Sequence, residues 1–394
     1  MSQLNLNHVF KQRFHTTEEP KQFFAPGRIN LIGEHTDYNG GHVFPASISF
    51  GTYVLARKRY DQKLRFFSEN FPNTGIIECD LTDLTYNKKH DWANYPKGVF
   101  QAFIKEGYQI SQGADILFYG NIPNGAGLSS SASIEMATGV LLEGLYSIEI
   151  DRIKMVQLGQ KVENNYIGVN SGIMDQFAVG MGKENHAILL NCDTLEFEYA
   201  PVHLSNHSIL IINTNKQRKL ADSKYNIRRS ECENALIDLQ KELPIQSLGE
   251  LSVQEFEKKK HLIEDKVNCK RAKHVVYEND RTISALEKLK TGDLIAFGKL
   301  VNQSHISLRD DYEVTGIELD AIVEAAWEQD GVLGARMVGA GFGGCAIAFV
   351  EKEKVDNFKE NVSAIYKKKI GYAPSFYTAS IGDGAREITE GVFI

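Results

Sequence analysis

Apolar and polar positions along this chain follow two periods, and the change from one to the other marks out most of its elements. SFGTYVLARKRY (49–60) and KLRFFSEN (63–70) are short runs dense in aromatic and β-branched residues and predict strands. ADILFYGNIP (114–123) predicts a strand that stops at Pro123, which has no N–H for a sheet ladder. HSILIINTN (207–215) reads as a buried strand. The period lengthens in SIEMATGVLLEGLYS (133–147), where Ile134, Ala137, Leu141 and Leu145 fall on one helical face. It recurs in ELDAIVEAAWEQ (318–329) through Leu319, Ile322, Val323, Ala326 and Trp327. ADSKYNIRRSECENALIDLQKEL (221–243) predicts a long charged helix, and EFEKKKHLIEDK (255–266) a solvated one.

At 394 residues the chain exceeds most single cores and suggests two lobes, an N-terminal one over 1–200 and a C-terminal one over 201–394. The division is placed where the polar AVGMGKENHAILLNCDTLEFEYAP gives way to the ILII strand. With 42% hydrophobic and 24% charged residues a packed core is expected, and a net charge of -7 argues against a dedicated nucleic-acid binder. Cys79, Cys192, Cys232, Cys269 and Cys345 are scattered with no CxxC pair, which fits a reducing compartment better than a disulfide framework. The start, MSQLNLNHVFKQRFH, has no signal-peptide apolar core, and the longest apolar runs are too short to span a bilayer, so a cytoplasmic protein is expected.

Glycines and polar groups then gather beyond what packing needs. APGRINLIGEHTDYNGG (25–41) sets Arg28 before a short apolar run and a knot of Glu34, His35, Thr36, Asp37 and Asn39. Three potential metal ligands in four residues fit a tight loop, with no second histidine pair to complete a metal site. Short donors and acceptors at fixed positions suit sugar hydroxyls better. NIPNGAGLSSSASIEMATG (121–139) passes through Gly125, Ala126, Gly127 and Leu128 into Ser129, Ser130, Ser131 and a helix. Glycines bring backbone N–H groups close to a ligand and the helix start adds partial positive charge, so a polyphosphate is the natural occupant. Plain N-capping by Ser129 or Ser130 would need one serine, not three. GARMVGAGFGGCAIAFV (334–350) satisfies GxGxxG formally, but with a helix expected upstream and a strand downstream the dinucleotide context is wrong. Its glycines read as backbone lining a crowded cleft. KVENNYIGVNSGIMDQFAVGMG (161–182) holds Glu163 and Asp175. A helix beginning at Asn170, Ser171 or Gly172 puts Asp175 in its first turn. There it either stabilises the helix dipole, by only about 0.3–1 kcal/mol, or faces a reacting hydroxyl; the residues alone leave both open.

In this order the motifs resemble the GHMP small-molecule kinase superfamily. APGRINLIGEHTDYN is similar to the narrower galactokinase-family signature, PNGAGLSSSASIE to the shared phosphate-binding motif and VGAGFGGCAIAFV to the third motif; GVNSGIMDQF and KYNIRRSEC also resemble that family. The resemblance implies an α+β, two-lobed GHMP kinase fold, with mixed sheets, helices and an active site in the cleft between lobes. It also implies an enzyme that uses ATP and Mg²⁺ to phosphorylate the anomeric hydroxyl of α-D-galactose, yielding galactose 1-phosphate and ADP. Carried over by position, Asp175 resembles the catalytic aspartate and Arg28 its cationic companion. Glu34, His35, Asp37, Gly172 and Tyr225 resemble sugar contacts. Gly125, Ala126, Gly127, Leu128, Ser129, Ser130 and Ser131 resemble the triphosphate loop, Trp92 the aromatic lining the adenine pocket, and Ser131 and Glu163 the magnesium positions. The expected partners are galactose and ATP, with no nucleic acid, no membrane and a monomeric state. Two alternatives share the scaffold: an N-acetylgalactosamine kinase, with more room around the second sugar carbon, and a galactose and ATP sensor without turnover, expected to depart from the intact GLSSSAS.

Overall fold

The computed structural model describes residues 5–123, 125–216 and 221–389, without the side chains of 221–223; Asn124 of the glycine–serine stretch therefore lies outside the described residues. The first part of the chain forms α1 (Leu6–Phe14), β1 (Lys21–Asn30), β2 (His42–Val43), β3 (Pro45–Lys58), β4 (Lys63–Ser68), β5 (Ile77–Asp80), α2 (Asn94–Lys105) and β6 (Ala114–Gly120). Next come α3 (Ser130–Tyr146), α4 (Arg152–Lys161), α5 (Met174–Met181), β7 (His186–Asn191), β8 (Phe197–Pro201) and β9 (His207–Asn213). A helical run follows: α6 (Ala221–Gln240), α7 (Val253–Lys259), α8 (Lys266–Lys290), α9 (Leu294–Asp310) and α10 (Ile317–Trp327). The chain ends with β10 (Val332–Val338), β11 (Cys345–Glu351), α11 (Val355–Ile370), β12 (Ser375–Ala379) and β13 (Arg386–Ile388).

A mixed sheet orders β13-β1-β3-β6-β4-β5, with β4 parallel to β6 and the other pairs antiparallel. Its strands alternate as a pleated sheet must. Val54 and Ala56 join the core under α2 to α5, while Leu55 between them packs with Phe67 and Leu117 beneath Phe10 and Phe14 of α1. A second sheet orders β10-β11-β9-β12, and Leu210, Ile212, Ala346 and Ala348 pack there against residues of α6, α8, α10 and α11. A third apolar cluster joins residues from both parts, among them Ile29, Phe44, Leu128, Ile211, Phe297 and Phe349. We propose that the division near residue 200 is one of sheets, since β13 returns to pair Phe24 with Arg386 and so closes the first sheet with the end of the chain.

The periodic stretches fold as the pattern predicts, with limits that move by a few residues, and two expectations need correction. The polar run before residue 201 holds two strands that the pattern did not predict: β7 and β8 form a three-stranded antiparallel sheet with β2, and Val43, Ala187, Ile188, Leu190 and Ala200 are its buried positions. The stretch 255–266 is not one solvated helix. It contains the end of α7, a 3₁₀ turn over Lys260–Leu262 and a break at Ile263, and Phe256 and Ile263 are buried in the second core. Upstream of the third glycine run stands a strand, not a helix. β10 and β11 pair directly, so Gly339–Gly344 is the connection of a β-hairpin.

Candidate active site

Arg28 owes its direction to a glycine. The register of β1 against β3 slips between Pro26 and Arg28, a bulge that re-aims the side chain. At Gly27 a Cβ would stand 2.6 Å from the Leu128 carbonyl oxygen, so only glycine lets the strand come this close to the serine loop. The loop carbonyls then bind Arg28: Leu128 O accepts from its backbone N–H at 3.2 Å and Gly127 O from Nη1 at 2.8 Å. Ala126 and Leu128 are buried in the third core cluster, which anchors the loop, while Gly125 and Gly127 take φ of 66° and 72°. Ser129 occupies the N-cap position of α3 with a left-handed backbone, yet its side chain caps nothing. Its hydroxyl instead donates to Asp175 Oδ2 at 2.6 Å.

Asp175 lies in the first turn of α5, which begins at Met174, slightly later than the pattern placed it. Arg28 reaches it with a two-pronged contact, Nε to Oδ1 at 2.8 Å and Nη2 to Oδ2 at 2.9 Å. Arg28 is buried while Asp175 stays partly open, so the carboxylate is held from one side and reachable from the other. Dipole stabilisation alone would not call for three donors from two distant segments.

The sugar-like loop sits beside this pair. Glu34 is buried; its Oε1 accepts from the Gly339 N–H at 2.8 Å and lies 3.2 Å from Nη2 of the fully buried Arg336. Burial raises the Glu34 carboxyl, and Arg336 and Arg28 pull it back. His35 has φ 63°, and burial lowers its imidazole to about 3, so the ring is neutral. Asp37 is pushed up to about 7 by burial, then by the charges of Asp175 and Glu34. A Cβ on Gly172 would stand 1.9 Å from Asp37 Oδ2, which accounts for a glycine at that position. Tyr225 places its ring 5.7 Å from His35 and 5.2 Å from Tyr38. From the other half of the chain α8 clamps the same loop. Its Glu278 accepts from the Gly33 N–H at 3.0 Å, and its His274 donates to the Glu34 carbonyl at 3.1 Å.

Two further groups adjoin the serine loop. Glu163 accepts from Ser171 at 2.9 Å and from Gln176 at 2.6 Å, and also contacts the Ser131 hydroxyl. Its carboxyl is raised by burial and then by Asp175. Ser130, Ser131, Trp92 and Tyr95 line one cavity of about 270 Å³, in which the half-buried Trp92 packs against Phe118. The structure thus brings together Arg28, Glu34, His35, Asp37, Gly172, Asp175 and Tyr225 with the serine loop. Glu163 adjoins Ser131, and Trp92 shares the cavity that Ser130 and Ser131 open into. The pattern reading singled out the glycines around Gly339 as cleft backbone but missed Arg336, His274, Glu278 and Gln176. Of these only Arg336 left a signal, a charge inside an otherwise apolar strand.

The site and the fold around it are those of a GHMP kinase. Residues 94–183 match the GHMP kinases N terminal domain and 285–368 the GHMP kinases C terminal domain, while 8–58 match the galactokinase galactose-binding signature. The chain is 61% identical to the galactokinase of Ligilactobacillus salivarius, over 92% of this chain and 94% of that one. It is 58% identical to that of Exiguobacterium sibiricum over the whole of both. Among solved structures, Lactococcus lactis galactokinase complexed with galactose superposes with a TM-score of 0.95 at 52% identity, covering 97% of this chain and 99% of that one. Methanococcus jannaschii mevalonate kinase, at 18% identity, covers 93% of this chain and 100% of its own with a TM-score of 0.68, a likeness of fold alone. Within the GHMP kinases, the chain belongs to the galactokinase family. Neither alternative reading, the N-acetylgalactosamine kinase or the silent sensor, gains support from these relatives. Among the described residues no helix is long and apolar enough to cross a membrane.

Proposed function

We propose that this chain phosphorylates galactose at its anomeric hydroxyl with ATP, acting as a monomer, and that Asp175 faces the reacting oxygen. The observation that carries the assignment is the meeting of Arg28, Ser129 and Asp175, because it joins the serine loop to the sugar-like loop at one carboxylate. Phosphoryl transfer asks a protein mainly for positioning and charge neutralisation. Glu34, His35, Asp37 and Tyr225 orient the sugar, with Gly172 leaving room for Asp37. Residues 125–131 cradle the triphosphate, and Trp92 lines the pocket for the base. Asp175 accepts the hydroxyl proton as the new P–O bond forms and the bond from the γ-phosphorus to the β–γ bridging oxygen breaks, leaving ADP. Arg28, already paired with Asp175, adds positive charge near the transferred group. A loose transition state asks little base strength, so a firmly held carboxylate is enough.

Glu163 and Ser131 would hold Mg²⁺. Both offer oxygen, and the ion commonly uses one or two carboxylates and fills its shell with substrate phosphates and water. The Ser131 hydroxyl contacts the Glu163 carboxylate, so the two oxygen donors stand side by side. The ion, when bound, neutralises charge on the β- and γ-phosphate oxygens.

An ADP-release assay on galactose, N-acetylgalactosamine and glucose tests the substrate, with turnover expected on galactose. Asp175→Asn should lower kcat by about 10²–10⁴-fold with a modest change in galactose binding. Near-normal turnover in that variant would refute the role given to Asp175.

A further inference from the structure

His35 has two ring nitrogens with different surroundings. Nε2 is buried with no hydrogen-bond partner among the described residues. Nδ1 lies 2.8 Å from the Tyr38 hydroxyl. That oxygen lies 2.8 Å from the Tyr312 hydroxyl, which in turn lies 3.2 Å from Cys232 Sγ. Tyr312 and Cys232 are fully buried. The Tyr312 ring is held between two imidazoles, 4.7 Å from His35 and 4.5 Å from His274, so its hydroxyl has little freedom to turn aside. A buried polar chain thus runs from α6 to the sugar loop and ends on the imidazole.

Such a chain can be polarised in two directions. In one, the imidazole donates from Nδ1 and the phenols pass their hydrogens on to the thiol sulfur, a weak acceptor. In the other, the thiol donates to Tyr312, Tyr312 to Tyr38, and Tyr38 to Nδ1. The second direction ends on the strongest acceptor present, an unprotonated imidazole nitrogen, and each hydrogen bond strengthens the next. Because burial keeps the ring neutral, the tautomer is what remains to be chosen.

We propose that Cys232, Tyr312 and Tyr38 form a tautomer lock that points its hydroxyl hydrogens at His35 Nδ1, so that Nε2 carries the imidazole hydrogen and donates to a sugar oxygen. The proposal rests on reading His35 as a galactose contact. Tyr38 and Tyr312 are positioning residues in it: they act through His35 and touch neither ATP nor the reacting hydroxyl. An Nε2–H donor left without a partner in the free protein would gain one when the sugar arrives. The wrong tautomer would set a lone pair against a sugar oxygen and weaken binding.

The test is histidine ¹⁵N NMR on the full chain without ligand, with His35 assigned by its loss in His35→Gln. Two-bond couplings from the ring protons report which nitrogen is protonated. The expected result is an Nε2–H ring in the wild type. In Tyr312→Phe, which keeps the stacked ring and removes one oxygen, a mixture of tautomers is expected. With it the galactose KM should rise about 2–10-fold while kcat and the ATP KM stay within about twofold. An Nδ1–H ring in the wild type overturns the lock even if no variant folds. An unchanged tautomer and KM in Tyr312→Phe overturns it too. The sugar contact itself is judged apart: an unaltered galactose KM in His35→Ala would refute that reading, and the ligand-free spectrum would still decide the tautomer.

Discussion

Arg28 shows how a short stretch of chain becomes chemistry. Its guanidinium makes two bonds to Asp175 and one to the Gly127 carbonyl, a pattern that a planar fork can satisfy and a single ammonium cannot. Arg28→Lys should therefore lower kcat by at least about tenfold, with the folded population unchanged by circular dichroism. Asp37 and His35 make opposite statements about pH. Asp37 is raised by burial to about 7, so between roughly pH 4 and pH 7 the unfolded chain holds fewer protons than the folded one and stability falls as pH rises. Melting temperatures of Asp37→Asn should gain on the wild type across that window; parallel curves would count against a buried carboxyl. His35, lowered by burial to about 3, makes the fold lose stability as pH falls from about 6.5 toward 3. Glu34, His35 and Asp37 stood out in the chain because such a density of polar groups has no packing purpose, whereas the residues around Asp175 left its role open and only the resemblance singled it out. That Ser129 binds Asp175 and leaves the helix uncapped was not legible, because a cap and a carboxylate contact ask for the same residue type.

Among the elements, the turn into α5 and the glycine hairpin bear on function most directly. Gly172 has Asp37 against it so closely that an added methyl must displace the carboxylate, whose Cγ would lie 2.4 Å away. Gly172→Ala should raise the galactose KM roughly 10–100-fold with the ATP KM nearly unchanged, as steady-state kinetics would show. The hairpin connection places Gly339 at φ 84° with its N–H on Glu34, so the third motif supports the sugar loop and is no dinucleotide turn. α3 and α10 were legible because their apolar residues recur at the helical period, and β9 because a short unbroken apolar run, buried on both faces, reads as an inner strand. β7 and β8 were not. Their apolar residues are interleaved with polar and charged ones in a short edge sheet, and that mixture reads the same as a loop until β2 is seen beside it.

Across the molecule, the third apolar cluster couples the two sheets behind the site. Phe297 is fully buried there, its ring 5.2 Å from that of Phe349. Phe297→Ala should cost about 3–5 kcal/mol in denaturant unfolding, far more than a surface change, since its neighbours come from distant segments and collapse poorly onto a void. Composition, periodicity and motif spacing were enough to specify a mixed fold, its main strands and helices, and a glycine–serine loop and a dense polar loop that packing does not call for, because each of these depends on neighbours a few residues away. Which of those residues touch was settled only by folding. Arg28 meets Asp175 across 147 positions and Gly339 meets Glu34 across 305, and such contacts follow from the bulge at Gly27, the close approach of backbones at glycines and the burial that fixes each charge's partner. Those are properties of three-dimensional packing, and no local pattern in the chain encodes them.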